Sequence, residues 1–142
     1  MSDVLTPETF DFVLANELKR AARSQSFLTL VTLEPRANDR PDAVVEIARL
    51  VSRELRETDL LAVDDTTASM VLLDTDLPNS KRVIGRVMSR LEHYQFTAPV
   101  EIWAGAACCP TDGADVDTLR RAAAATRTQL TRRRPQGTAQ AQ

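Results

Sequence analysis

Apolar residues recur along this chain first at helical and then at strand-like spacing, and each change of period marks an element. Phe10, Leu14, Leu18 and Ala21 or Ala22 form a helical stripe behind Thr6-Pro7-Glu8, a helix-start pattern, which predicts a helix over 7–24. Residues 26–34 (Ser-Phe-Leu-Thr-Leu-Val-Thr-Leu-Glu) are rich in β-formers and bounded by Pro35, so they predict a buried strand, with 35–41 a polar loop. From Asp42, the positions Val45, Ile47, Leu50, Val51 and Leu55 predict a second amphipathic helix ending near Arg56. Two short strands follow at 59–64 and 67–73, joined as a hairpin through Asp65 and Thr66. Residues 78–93 predict a helix, 100–107 a strand and 115–133 a last helix. The low-complexity stretch 135–142 predicts a disordered tail.

The resulting order is helix, then β-α-β-β-α-β, then helix. It predicts an α/β (α+β) domain of ferredoxin-like, palm-type architecture, a central antiparallel sheet flanked by helices, over residues 1–134. With 142 residues, 43% of them apolar and 27% charged, the chain can bury one sizeable core. A net charge of −2 gives no global electrostatic case for binding nucleic acid or an anionic membrane. No apolar stretch approaches a membrane span, and Met-Ser-Asp-Val-Leu at the N-terminus lacks the pattern of a signal peptide, so a cytoplasmic location is expected. Cys108 and Cys109 are adjacent, which suits neither an ordinary disulfide nor a metal-ligand spacing. They read as small strand residues.

Residues 56–73 (Arg-Glu-Thr-Asp-Leu-Leu-Ala-Val-Asp-Asp-Thr-Thr-Ala-Ser-Met-Val-Leu-Leu) resemble the central hairpin of the GGDEF domain, the bacterial diguanylate cyclase fold. Residues 104–115 (Ala-Gly-Ala-Ala-Cys-Cys-Pro-Thr-Asp-Gly-Ala-Asp) are similar to the family's later strand and exit loop, and the likeness spans about residues 3–134. Asp65, Thr66, Thr67, Ala68 and Ser69 stand where the family has Gly-Gly-Asp-Glu-Phe, making the signature degenerate. The two glycines would let the backbone approach a triphosphate, and the acidic pair would hold Mg²⁺. Thr32 stands at the first-strand metal ligand, residues 35–41 replace the guanine-pocket segment with Asn38-Asp39 as a remnant, and Ala122-Ala123 and Leu130 replace an Ala-Asp pair and a phosphate-contacting Lys. Lost groups of this kind each cost about 100- to 1,000-fold in rate, so the resemblance implies a domain with no cyclase activity, no catalytic residue and no cofactor.

One functional feature of the family is matched. Arg56-Glu57-Thr58-Asp59 fits its RxxD inhibitory motif, and five residues separate Asp59 from Asp65, as in the family. The resemblance implies a cyclic di-GMP site on Arg56 and Asp59, completed from the next helix by Arg86, with Arg90 as the alternative. An arginine can donate in bidentate fashion to guanine O6 and N7, and a carboxylate can accept from the base's N–H groups. The same pair also reads as a surface ion pair at a helix end, worth at most about 1 kcal/mol. A nucleotide-independent adaptor, with a protein partner or a second copy on the N-terminal helix, Trp103 or the emptied active-site face, is the other reading. His93 is expected to sit at a helix C-terminus rather than on a ligand. Trp103 is expected in the core. Asp64 and Asp65 are expected to serve the hairpin turn, and Arg132, Arg133 and Arg134 the negative end of the last helix.

Overall fold

The computed structural model describes residues 4–96 and 98–129. In chain order its elements are β1 (Val4–Leu5), α1 (Pro7–Ser24), β2 (Leu28–Arg36), α2 (Arg40–Ser52), β3 (Leu60–Val63), β4 (Ala68–Leu73), α3 (Leu77–His93), β5 (Glu101–Cys109), α4 (Val116–Ala125) and β6 (Thr128–Gln129). The six strands lie in the order β1-β3-β4-β2-β5-β6, antiparallel except where β1 runs alongside β3. Without the two short edge strands, the order is that of the ferredoxin-like β-α-β-β-α-β unit, as the apolar pattern predicts.

Alternation along β2 sorts the core into two layers. Leu28 and Leu30 face α1 and α4, where they join Phe10, Leu14, Leu18, Val71 and Leu119. Val31 and Leu33 face the other way and join Ile47, Val51, Met70, Leu72, Val87 and Leu91 under α2 and α3. Because strand side chains alternate, one central strand with apolar residues on both faces must be covered by helices on both. Each fully buried Leu or Phe contributes about 1.5–3 kcal/mol. The helix starts follow their capping letters. Thr6, Asp76 and Asp115 each accept the N–H of the residue three positions on, that is Thr9, Asn79 and Thr118. The backbone N–H of Thr118 is also the main reason the Asp115 carboxyl is held below its usual range. No helix among the described residues is long and apolar enough to cross a membrane.

The structure departs from the pattern at several element ends. β2 continues through Pro35 to Arg36, because its pairing with β4 stops at Leu33 while that with β5 runs on. With one neighbour gone, the strand has an open edge on which a residue without an N–H is tolerated. α2 begins at Arg40, with Pro41 in its first turn, and ends at Ser52 rather than near Arg56. α4 stops at Ala125 instead of reaching 133. Thr126 turns its hydroxyl onto the carbonyl of Ala106 (2.9 Å) and accepts the Ala106 N–H (3.2 Å), and the chain then pairs with β5 as β6. A β-branched residue tied to the neighbouring strand thus ends the helix where the alanine run alone predicts continuation. Neither β1 nor β6 is visible as a strand in the apolar pattern, since two residues carry no period. The expected tail at 135–142, Arg132, Arg133, Arg134 and Leu130 all lie outside the described residues.

Close approach of α4 to β5 depends on Gly105. A Cβ there would run into the backbone carbonyl of Ala123, which cannot move without shifting the helix. Gly85, within α3, has nothing around its missing Cβ. Gly105→Ala is therefore expected to destabilise the domain by about 1–3 kcal/mol. Gly85→Ala should stabilise it by about 0.5–1 kcal/mol. Urea unfolding followed by circular dichroism measures both.

Candidate functional site

The segment between α2 and β3 is a tight turn built on Arg56 and Asp59. The Asp59 N–H donates to the Arg56 carbonyl (3.0 Å), and the Arg56 N–H donates to Asp59 Oδ2 (3.0 Å). Arg56 is thus not at a helix end, as its spacing from Val51 and Leu55 suggests. The reciprocal bonds with Asp59 draw the chain out of helical geometry, while buried Leu55 holds the turn to the core.

Asp59 is 5% exposed, and its carboxylate is met mainly by protein donors. Besides the Arg56 backbone it accepts from Arg56 Nε (3.3 Å), Arg56 Nη2 (3.0 Å) and the N–H of Leu73 at the end of β4 (3.1 Å). The same Nη2 also donates to the Leu73 carbonyl and to Thr75 Oγ1 (3.2 Å). The carboxylate is the largest cause of a guanidinium pKa raised above its ordinary value. This clamp fastens the α2–β3 turn to the β4–α3 connection. It leaves Arg56 Nη1 without a hydrogen bond among the described residues.

Arg56 and Asp59 line one wall of a cleft of about 260 Å³, and Asn79, Arg82, Val83 and Arg86 of α3 line the other. Glu54, just after α2, closes one side. It accepts from Arg90 Nε (2.9 Å) and lies 3.5 Å from Arg86 Nε. The structure thus brings Arg86 together with Arg56 and Asp59, whereas Arg90 lines a neighbouring groove on the far side of Glu54. Arg82, Thr75 and Asn79 were not among the residues expected here. Arg82 was within reach, because Arg82, Arg86 and Arg90 recur every four residues and so share one face of α3. Glu54 has no such signal, since its pairing with two arginines more than thirty residues away is a product of how α2 and α3 meet.

At the other end of the hairpin, Asp64 Oδ1 accepts the N–H groups of Thr66 and Thr67, both at 2.8 Å, and the Thr66 hydroxyl at 3.0 Å. Asp64 supplies the turn chemistry, and Asp65 is exposed beside it. Ala68 and Ser69 are buried in β4, opposite Leu33 and Thr32 of β2. The positions that the resemblance assigns to a metal therefore hold Thr32, Thr67 and Ala68. Mg²⁺ favours carboxylate oxygen. A donor set of two hydroxyls and a methyl does not fit it.

The remaining candidates lie outside the Arg56–Asp59 cleft, and the indole N–H of Trp103 is buried without a hydrogen-bond partner among the described residues. His93 lies in the last turn of α3 with Nδ1 2.8 Å from the Ser89 carbonyl. Cys108 and Cys109 are free and buried at the end of β5, and burial pushes both thiol pKa values up. Trp103 belongs to neither core layer. It is half-buried on β5 with the Arg36 guanidinium 4.7 Å above its ring, because its strand neighbours there, Glu34 and Gln129, are polar.

Loss of the Asp59 carboxylate strands the Leu73 N–H in a buried position, whereas loss of Arg56 leaves that carboxylate two backbone donors. Asp59→Ala is expected to lower stability by about 1–3 kcal/mol. Arg56→Ala should cost less, and urea denaturation of the two variants in parallel checks the order.

No family model and no curated protein matches the chain, but solved structures do. A DGC protein from Thermotoga maritima superposes with a TM-score of 0.77 at 16% identity, covering 87% of this chain and 95% of that one. A sensory box/GGDEF family protein from Caulobacter crescentus gives 0.74 at 20% identity, over 88% and 91% of the two chains. The GGDEF domain of DgcB from Caulobacter crescentus, in complex with c-di-GMP, gives 0.74 at 12% identity, over 88% and 82%. The chain has the fold of the GGDEF domains.

Proposed function

We propose that this domain is a non-catalytic receptor for cyclic di-GMP, which it takes up in the cleft between the α2–β3 turn and α3. The observation that carries the reading is the convergence of Arg56, Arg82 and Arg86 on one cleft, with Arg56 held rigid by Asp59 and the end of β4. A guanidinium pinned along its Nε–Nη2 edge retains Nη1 for an acceptor on the ligand and loses little side-chain entropy on binding. Asp59 acts mainly by orienting Arg56, since its oxygens are taken up by protein donors. Arg82 and Arg86 attract the two phosphates of a cyclic dinucleotide and offer donors to guanine O6 and N7.

One line speaks against a cyclase role and a second supports binding. The signature positions hold Asp65, Thr66, Thr67, Ala68 and Ser69, which supply neither the glycine backbone nor the carboxylates that the reaction needs. The DgcB GGDEF domain, of the same fold, is known in complex with c-di-GMP. In this reading the hairpin tip has kept its shape through Asp64 while its chemistry has gone. The output is then a change in what the domain assembles with when ligand is bound.

Isothermal titration of the purified protein with cyclic di-GMP, with GTP as comparison ligand, tests this. Binding at micromolar concentration is expected, weakened at least tenfold by Arg82→Ala and by Arg56→Ala in folded protein. Absence of heat and of any thermal shift at high ligand concentration would overturn the receptor reading. Conversion of GTP by pure protein with Mg²⁺ or Mn²⁺ would overturn the non-catalytic one.

A further inference from the structure

The α2/α3 surface carries opposite charges at its two ends, and the boundary between them is a single residue. Beyond Glu54 lies a groove of about 560 Å³ lined by Arg53, Arg86, Arg90, His93 and Tyr94. With three arginines set against Glu54, it carries a net charge of +2 when His93 is neutral. A second groove, of about 370 Å³, is lined by Asp39, Asp42, Glu46, Arg49 and Tyr94. Three carboxylates against one arginine give it a net charge of −2. Tyr94 lines both, and its hydroxyl donates to Glu46 Oε2 (3.1 Å). Val45, an apolar side chain left 50% exposed, lies in the acidic groove.

We infer that this face binds a second copy of the same chain across a two-fold axis passing near Tyr94, so that the acidic groove of each protomer meets the basic groove of its partner. A two-fold interface brings the same patch from both copies together in opposite directions. A patch with +2 at one end and −2 at the other is complementary to itself only in that arrangement. The chain's own pairing leaves both grooves charged. Arg53 makes no ion pair among the described residues, and at the acidic end the Asp42 carboxyl is raised above its ordinary range by the adjacent Asp39. Crowded carboxylates of this kind are relieved by an incoming cation, here the partner's arginines. A contact carried by exposed charges on two helices is screened by salt, which makes the dimer salt-sensitive. Arg86 and Glu54 line both the basic groove and the Arg56–Asp59 cleft, but Asp42 and Arg53 do not line that cleft, so the dimer is tested without nucleotide.

Sedimentation velocity on nucleotide-free protein, over a concentration series at low and high salt, is the test. The wild type should dimerise reversibly at low salt and dissociate as salt rises. Asp42→Lys and Arg53→Glu, each shown to be folded by circular dichroism, should each be monomeric, because each homodimer sets like charges together. Mixed in equal amounts they should dimerise again, since Lys from one variant faces Glu from the other at one end and the native Asp and Arg pair at the other. If Asp42→Lys does not fold, Asp42→Asn should weaken the wild-type dimer without restoring it on mixing. A wild type that stays monomeric at low salt, single variants that dimerise like the wild type, or a mixture that remains monomeric would each overturn the inference.

Discussion

The buried carboxylate of Asp59 is the constraint on which the α2/α3 side of this domain rests. It joins two connections that are far apart in sequence, the α2–β3 turn and the β4–α3 link, through the N–H of Leu73 and the guanidinium of Arg56. A charged acceptor with several donors is stronger than neutral hydrogen bonds and, once desolvated, demands that all of them stay in place. Because α3 begins immediately after the clamped segment, the clamp also sets where Arg82 and Arg86 stand relative to Arg56. The RxxD spacing therefore has a structural purpose in this chain before it has any ligand, and the same bonds that stabilise the turn hold Arg56 in the cleft.

The opposite layer depends on a close backbone contact. β2 divides the core, and α4 lies so close to β5 that Gly105 has no room for a Cβ. Close backbone approach gives α4 a short, fixed seat, and Thr126 ends it by hydrogen bonding to Ala106. Both faces of the sheet are closed by apolar side chains, and both carry ion pairs on the outer sides of their helices. The glycine contact belongs to the α1/α4 face, and the cleft of Arg56, Arg82 and Arg86 to the α2/α3 face.

Glu54 links the electrostatics of that second face. Its side chain, 12% exposed, lies between the cleft of Arg56 and the groove of Arg90, and it engages Arg86 and Arg90 together. One carboxylate therefore divides a continuous run of arginines into two sites with different surroundings. Arg86 lines both.

Much of this was legible in the letters. The stripe of α1, the Thr6-Pro7-Glu8 helix start and the two short apolar runs that meet at the Asp64 turn are local signals, because a helix or hairpin is decided within a few residues by spacing and turn chemistry. The β-α-β-β-α-β order follows from them, whereas the grouping of Arg86 with Arg56 and Asp59 comes only from what the family resemblance implies. The letters also show that residues 65–69 hold no glycine and no adjacent carboxylates. What the tertiary structure alone decided are features in which distant segments compete for the same backbone or charge. β1 and β6 exist only because longer strands offer them an edge. α2 ends early because Asp59 captures the turn, and α4 ends early because β5 captures Thr126. Glu54 divides the arginines because α2 and α3 meet at that residue. Periodicity carries no information on such pairings, since each is fixed by hydrogen bonds and ion pairs between residues that only folding brings within reach.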